Sequence, residues 1–336
     1  FKLMKTINAA VIGSGIGIKH LESIDGYKKS SVKVICEKNL NKIKILKKKY
    51  PKKIITSNDK KIFEDKSINL VSIASYDDTH YKYIMKCIRY NKNIIIEKPM
   101  CLTLEQLKKI NKSLKKNKKI KITSNLVLRV NSLFKKVKSL INTKKVFFIE
   151  ADYLWGRKHK LFEWRSKIKD YSITLGAAIH IIDLVMWLLN DKPTYIKAYG
   201  SNKDTKNTKF KKNSLIIYIL EFPGDILVKI SANSSASFQH FHELKIFEKD
   251  KTFYHSINDS FIFETKNKTV KKKPIVSTYP DKSNRKKLIR NFIDNLLNYT
   301  KKEIITFKEQ IDLMSVCFYA DKSLKFDKKL KIKYLK

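Results

Sequence analysis

The chain has 336 residues, 43% of them hydrophobic, enough for one large or two ordinary domains with real cores. No apolar run reaches the roughly 18 residues of a membrane span, and the four scattered cysteines (Cys36, Cys87, Cys101, Cys317) form no CxxC, so neither a disulfide framework nor a metal site is expected and a cytoplasmic setting is. The formal charge of +42 points toward polyanions, yet only Arg89, Arg129, Arg157, Arg165, Arg285 and Arg290 are arginines and the lysines are spread through every segment, as biased coding composition produces; no specific nucleic-acid or membrane partner is expected.

Phe1, Lys2 and Leu3 precede Met4, the expected natural start, and the short apolar run that follows reads as a first strand, not a signal peptide. Up to about residue 125, apolar β-like runs ("INAAVIG", "SVKVICE", "KIITS", "LVSIAS", "NIIIEK", "KITSNLVL") alternate with lysine-rich helical stretches. That rhythm predicts right-handed βαβ units and a doubly wound parallel sheet over residues 1–124. From 125 to 336 the pattern changes to an α+β domain. A helix is expected at about Ala177 to Leu189, and a meander of strands from "KKVFFIEADYLWG" to "DSFIFETK" reads as an open, mostly antiparallel sheet. "KNKTVKKKPIVSTYPDKSNRKK" reads as a basic connecting loop. Two late helices, about Asn284 to Thr300 and Phe307 to Leu324, close the chain, and these can pack back on the first domain.

"AVIGSGIGIKH" places Gly13, Ser14, Gly15, Ile16 and Gly17 between the first strand and a helix. Glycines there permit a tight turn and a close backbone approach to a pyrophosphate at the helix N-terminus. The spacing is one residue short of the usual GxGxxG. Glu37 ends the second strand about 20 residues on, where a carboxylate accepts hydrogen bonds from ribose hydroxyls and repels a 2′-phosphate. NAD is therefore the expected cofactor; Lys38, beside Glu37, keeps NADP open. "IIIEKPM" ends the fifth strand with Glu97-Lys98-Pro99, where the proline stops the ladder and holds Lys98 extended. His180 and Asp183 share a helix face at i and i+3 in an apolar segment. Arg157 and Arg165 stand close to Trp155 and Trp164, a pattern for anion recognition with an aromatic face or, equally, for core tryptophans.

These motifs, with "VSIASYDDTH", "LVLRVNSLF", "GAAIHIIDLVMWLL" and "EQIDLMSVCFYADKSLK", resemble the glucose-fructose oxidoreductase, inositol 2-dehydrogenase and rhizopine-catabolism (Gfo/Idh/MocA) family over nearly the full length. The resemblance implies that Lys98 and His180 handle protons at a substrate hydroxyl, with Asp183 beside them, and that the Lys98-Pro99 bond is cis. Beside the glycine turn and Glu37, it implies cofactor contacts from His20, Ser75, Asp77, His80, Glu97 and Lys98. It implies substrate contacts from Arg129, Arg157, Trp164, Arg165 and His180. Many members carry an Asp four residues before the histidine; here that position is Gly176. The expected activity is NAD(P)-dependent oxidation of a secondary hydroxyl on a sugar or sugar nucleotide by a homodimer or homotetramer. The alternatives are a free-sugar or inositol dehydrogenase, and a catalytically silent NAD-sensing regulator.

Overall fold

The computed structural model describes residues 6–299 and 302–336. The chain forms two compact units, one running to Val127 and including Lys282–Ile311, the other Leu128–Asp281 with Asp312–Lys336. Lys282–Ile311, in the stretch whose helices were expected to be able to pack back on the first domain, groups with the first unit.

The first unit follows the order β1 (Ile7–Ile12), α1 (Gly17–Asp25), β2 (Ser30–Cys36), α2 (Leu40–Lys49), β3 (Ile54–Thr56), α3 (Lys60–Phe63), β4 (Leu70–Ile73), α4 (His80–Arg89), β5 (Asn93–Ile96), α5 (Leu104–Lys116) and β6 (Ile122–Ser124). Its six strands are all parallel in the order β3-β2-β1-β4-β5-β6. That is a doubly wound sheet whose strand order reverses between β1 and β4, where such folds take ligands beyond the carboxyl ends. The strands are short apolar runs buried on both faces, because helices cover each side.

The second unit carries α6 (Ser132–Leu140), β7 (Val146–Leu154), α7 (Trp164–Lys167), a π-helical turn at Thr174–Ala178, α8 (Ile179–Leu189), β8 (Tyr195–Ser201), β9 (Leu215–Phe222), β10 (Ile226–Asn233), β11 (Phe241–Glu248), β12 (Lys251–His255), β13 (Ser260–Lys266) and β14 (Thr269–Pro274). After it come α9 (Asn284–Leu296) in the first unit, α10 (Phe307–Phe326), which starts in the first unit and ends in the second, and β15 (Leu330–Lys331). Thr300, where sequence placed the end of α9, lies outside the described residues.

The packing role of α9 is explicit. Ile289, Phe292, Ile293 and Leu296 form one apolar stripe against Leu21 and Ile24 of α1 and Ile7, Ala9 and Val11 of β1. In the second unit a nine-stranded sheet runs β14-β13-β12-β11-β7-β10-β9-β8-β15. It is antiparallel except that β7 and β10 pair in parallel. Its central strands alternate strictly: Ile216, Tyr218, Leu220, Phe222, Val228 and Ile230 are buried, and the residues between them face outward, partly exposed. Among the described residues no helix is long and apolar enough to cross a membrane.

Candidate functional site

In the first unit the candidate residues gather at the carboxyl ends of β1, β2, β4 and β5. Each glycine of the turn has its own reason. Gly13 has a φ of +89°, and a Cβ there would stand 2.5 Å from the Ala74 carbonyl oxygen at the tip of β4. A Cβ on Gly17 would meet Val11 Cγ1 at 2.8 Å, so this glycine lets α1 pack close to β1. A Cβ on Gly15 would meet nothing within 4 Å. A tight turn, an open middle position and close helix packing are the three parts of a dinucleotide turn, and the residues present fit that group. Ile16, 40% exposed, flanks the open position.

Glu37, following β2, closes this corner. Its carboxylate accepts from Ser14 N at 3.0 Å, from the Ser14 hydroxyl, and from Lys38 N and Asn39 N at 2.8 and 2.9 Å. Burial pushes the carboxyl upward, but these hydrogen bonds outweigh it and hold its pKa below the usual value. The Lys38 ammonium donates to Ser57 O at 2.6 Å, which ties down the cation that kept a 2′-phosphate open.

Lys98 sits between two anchored neighbours. Glu97 accepts from Asn125 Nδ2 at 2.6 Å, and its Oε1 lies 2.9 Å from His20 Nε2 and 3.8 Å from Arg285 Nε. Burial pushes Glu97 up, yet the His20 hydrogen bond and the charges of His20, Arg285 and Lys98 bring it down to about 2. Pro99, joined to Lys98 by a cis peptide bond, has its carbonyl oxygen 2.7 Å from His80 Nδ1. His80 Nε2 lies 3.1 Å from Ser75 O, and His20 Nδ1 lies 2.8 Å from Ser72 Oγ.

Both histidines are fully buried, with each ring nitrogen against a protein atom. The structure places these two expected cofactor residues between β4 and the Glu97-Lys98-Pro99 turn, which they brace against each other. Ser75 bonds Thr79 through its hydroxyl at 2.6 Å, and Asp77 is buried at the start of a short 3₁₀ turn. Sequence reasoning missed Ser72, Asn125 and Arg285. Arg285 alone left a signal, as one of few arginines in a lysine-rich chain.

In the second unit His180 stands on the first turn of α8, partly exposed. The Tyr153 ring meets it edge-on at 6.4 Å and stacks on His242 at 4.4 Å; His240 lies 5.3 Å from both Tyr153 and His242. His242 also bonds the Tyr279 hydroxyl. Burial, with the charges of His240, His180 and His255 adding, keeps His242 well below its usual range and therefore neutral. Nearby, the Arg165 guanidinium lies 4.2 Å over Trp164 and 5.2 Å from the centre of Trp155. Stacking uses the faces of the guanidinium, whereas its N–H donors lie in its plane. Arg157 is exposed, and its charge acts on Tyr153.

Two expected site residues take each other as partners. Arg129 Nε and Nη2 grip the Asp183 carboxylate at 2.7–3.1 Å, with the side chains 3% and 1% exposed. The structure brings these two expected site residues together as a buried pair that anchors α8 from inside. Among the described residues no group of three or more His, Cys, Asp or Glu is placed to hold a metal ion, the histidine cluster included.

Residues 7–125 match the family described as "Oxidoreductase family, NAD-binding Rossmann fold", and residues 134–253 match "GFO/IDH/MocA C-terminal domain". The scyllo-inositol 2-dehydrogenase (NADP(+)) IolW of Bacillus subtilis (strain 168) is 26% identical over 106 residues, 30% of this chain and 28% of that one. The chain spans less than a third of the length of the curated relatives it matches. In fold it is similar to myo-inositol 2-dehydrogenase from Lactobacillus plantarum, with a TM-score of 0.81 at 15% identity, covering 98% of this chain and 100% of that one. It is also similar to the UDP-N-acetylglucosamine 3-dehydrogenase GnnA from Acidithiobacillus ferrooxidans, with a TM-score of 0.80 at 15% identity, covering 96% and 99%. The two family matches follow one another along the units just described, and the chain belongs to the Gfo/Idh/MocA oxidoreductase family.

Proposed function

We propose that this protein is an NAD-dependent oxidoreductase that moves a hydride between a nicotinamide cofactor and a secondary hydroxyl of a sugar nucleotide. The observation that carries the cofactor half is the glycine turn, closed at Gly13 and Gly17 and open at Gly15, with the ionised Glu37 beside it. Gly13 to Gly17 and the N-terminus of α1 would hold the pyrophosphate, and Glu37 the adenosine ribose. Bound nicotinamide supplies the hydride acceptor or donor. Lys98 and His180 each carry a proton-handling role at the substrate oxygen. Arg129 and Asp183 act by holding α8, and His20 and His80 by fixing the turn that carries Lys98.

The substrate half rests on the second unit. Arg165, stacked on two tryptophans, and Arg157 offer planar donors suited to a diphosphate, and Gly176 puts no carboxylate ahead of His180. The name of the GnnA fold neighbour is consistent with that class. The names of IolW and of the Lactobacillus plantarum enzyme favour a second reading, a polyol dehydrogenase.

The test is reduction of NAD⁺ and of NADP⁺, followed by the absorbance of the reduced cofactor, with UDP-N-acetylglucosamine, UDP-glucose, glucose, myo-inositol and scyllo-inositol. The expected result is a preference for NAD⁺ and a kcat/KM for a UDP-sugar at least about tenfold above the polyols, a gap that Arg165→Ala closes. A polyol preference indifferent to Arg165→Ala would overturn the sugar-nucleotide half. Failure to reduce either cofactor with any of the five would overturn the enzymatic reading.

A further inference from the structure

β1 and β2 run parallel with Ile12 level with Cys36, and Gly13 N donates to Cys36 O at 2.8 Å. That register brings Ser14, the middle of the turn after β1, beside Glu37, the first residue after β2. Four donors then converge on one carboxylate. Its Oε2 accepts from Ser14 N and from the Ser14 hydroxyl, and its Oε1 from Lys38 N and Asn39 N. The backbone around it is tied down on both sides. Glu37 N donates to Thr56 O at 3.0 Å, and the Asn39 side chain caps α2 by accepting from Lys42 N at 3.0 Å.

The chemistry of these groups fixes which way the hydroxyl points. A carboxylate offers about four lone-pair sites, and here four protein donors take them. The same hydrogen bonds hold the Glu37 pKa below its usual value, so the group is ionised and has no proton to give. The Ser14 hydroxyl must therefore be the donor, and its one proton is committed to Glu37. What it keeps for a ligand is the lone pairs of its oxygen. Both residues are partly exposed, and they stand beside Gly15, where an added Cβ would meet nothing within 4 Å.

We propose that Ser14 is a specificity-determining residue for the cofactor: with its proton turned onto Glu37, its oxygen accepts a hydrogen bond from the 2′-hydroxyl of the adenosine ribose. The proposal rests on the cofactor reading above and refines it, because Glu37 then reads the ribose through Ser14. A 2′-hydroxyl brings the proton that this corner lacks. A 2′-phosphate brings acceptor oxygens and negative charge. It would meet the lone pairs of Ser14 and the charge of Glu37 together, and NAD is favoured on both counts. The nearest cation does not offset this, since the Lys38 ammonium is already given to Ser57 O.

Binding alone tests this, through the fluorescence of NADH, of NADPH and of NADH whose adenosine ribose lacks the 2′-hydroxyl. The wild type should hold NADH about tenfold more tightly than the deoxy analogue, the worth of one hydrogen bond to a polarised oxygen. Ser14→Ala should weaken NADH about tenfold, leave the analogue unchanged and tighten NADPH severalfold. The hydroxyl is released when its acceptor goes, so in Glu37→Ala it can donate to a 2′-phosphate. There, adding Ser14→Ala should weaken NADPH severalfold, the reverse of its effect on the wild type. A packing role for Ser14 would give no such change of sign. Wild-type NADH affinity in Ser14→Ala, equal weakening of NADH and the analogue, or an NADPH effect of one sign in both backgrounds each overturns the proposal while the cofactor reading stands. A wild type that binds neither NADH nor NADPH removes that reading, and the proposal with it.

Discussion

At the residue scale, Lys98 is distinguished from the other lysines of a lysine-rich chain by what its neighbours do. His20, Asn125 and Arg285 surround the Glu97 carboxylate, and His80 sits against the Pro99 carbonyl, so the backbone on both sides of Lys98 is fixed by buried polar groups. Lys98→Ala and His180→Ala should each lower kcat by at least about 10²-fold with NAD⁺ binding retained; near-normal turnover in either would remove that residue from the chemistry. Glu37→Ser should cut the preference for NAD⁺ over NADP⁺ about tenfold or reverse it, read as the ratio of dissociation constants by fluorescence of the reduced cofactors. An unmodified protein that binds NADPH better would contradict the role of Glu37. The glycines, Glu37 and the Glu-Lys-Pro turn were legible in the sequence because their signal is local: residue type and position after a strand. The jobs of His20 and Arg129 were not. Their partners Glu97 and Asp183 are 77 and 54 residues away, and no spacing rule tells which distant carboxylate a buried basic side chain meets.

Among the elements, α8 illustrates how a helix with an apolar surface all round is set in place. Buried Arg129–Asp183 grips it from within, and its approach is held by Asp321 of α10, which accepts hydrogen bonds from Ser172 at 2.7 Å and from Thr174. Removing one partner of the buried ion pair leaves a charge without compensation, so Arg129→Met should cost about 3–5 kcal/mol, and Arg129→Met/Asp183→Leu should recover most of it. Chemical denaturation of the single and double variants checks this. Full additivity of Arg129→Met and Asp183→Leu would show that the two side chains do not act as a pair. Asp321 gives a pH signature. Burial raises its carboxyl from 3.8 to about 6, against the Thr174 and Ser172 hydrogen bonds and the Lys212 charge. A folded-state value above the unfolded one favours the folded state below about pH 4, and that contribution is lost as pH rises through about 6. Relative to Asp321→Asn, the wild-type thermal midpoint should therefore fall between about pH 4 and 7 and hold a constant difference above; a difference independent of pH would contradict it. The parallel strands were readable as apolar runs between helices, but β14, "TVKKKP", was read as loop. It is an edge strand with every residue exposed, formed by its ladder to β13 and not by burial, so it leaves no alternating pattern.

For the whole molecule, the outward face of the nine-stranded sheet is mixed. Leu215, Ile217, Ile219, Leu227 and the stacked pair Phe148 and Phe247 are only partly buried, beside a ladder in which Glu150 meets Lys229 at 2.5 Å and Lys245 at 2.9 Å. Such a face on a large open sheet fits a self-complementary contact, and we propose a homodimer or homotetramer built on it. Light scattering at micromolar concentration and moderate salt should give a mass of two or four chains, and Ile217→Lys/Ile219→Lys should reduce it to one; a monomeric wild type would refute the arrangement. The other large-scale feature is the interruption of the first unit, whose α9 arrives only after the whole β7–β14 run. On a ribosome this order becomes a delay. At roughly 5–20 residues per second, on the order of 8–30 s separate the emergence of Val127 from that of Asn284. Throughout that interval Leu21, Ile24 and the flank of β1 have no α9 to cover them. The part of the protein made first therefore cannot be the part finished first, and the nascent chain carries a six-stranded sheet with one apolar flank uncovered, which a chaperone is suited to shield.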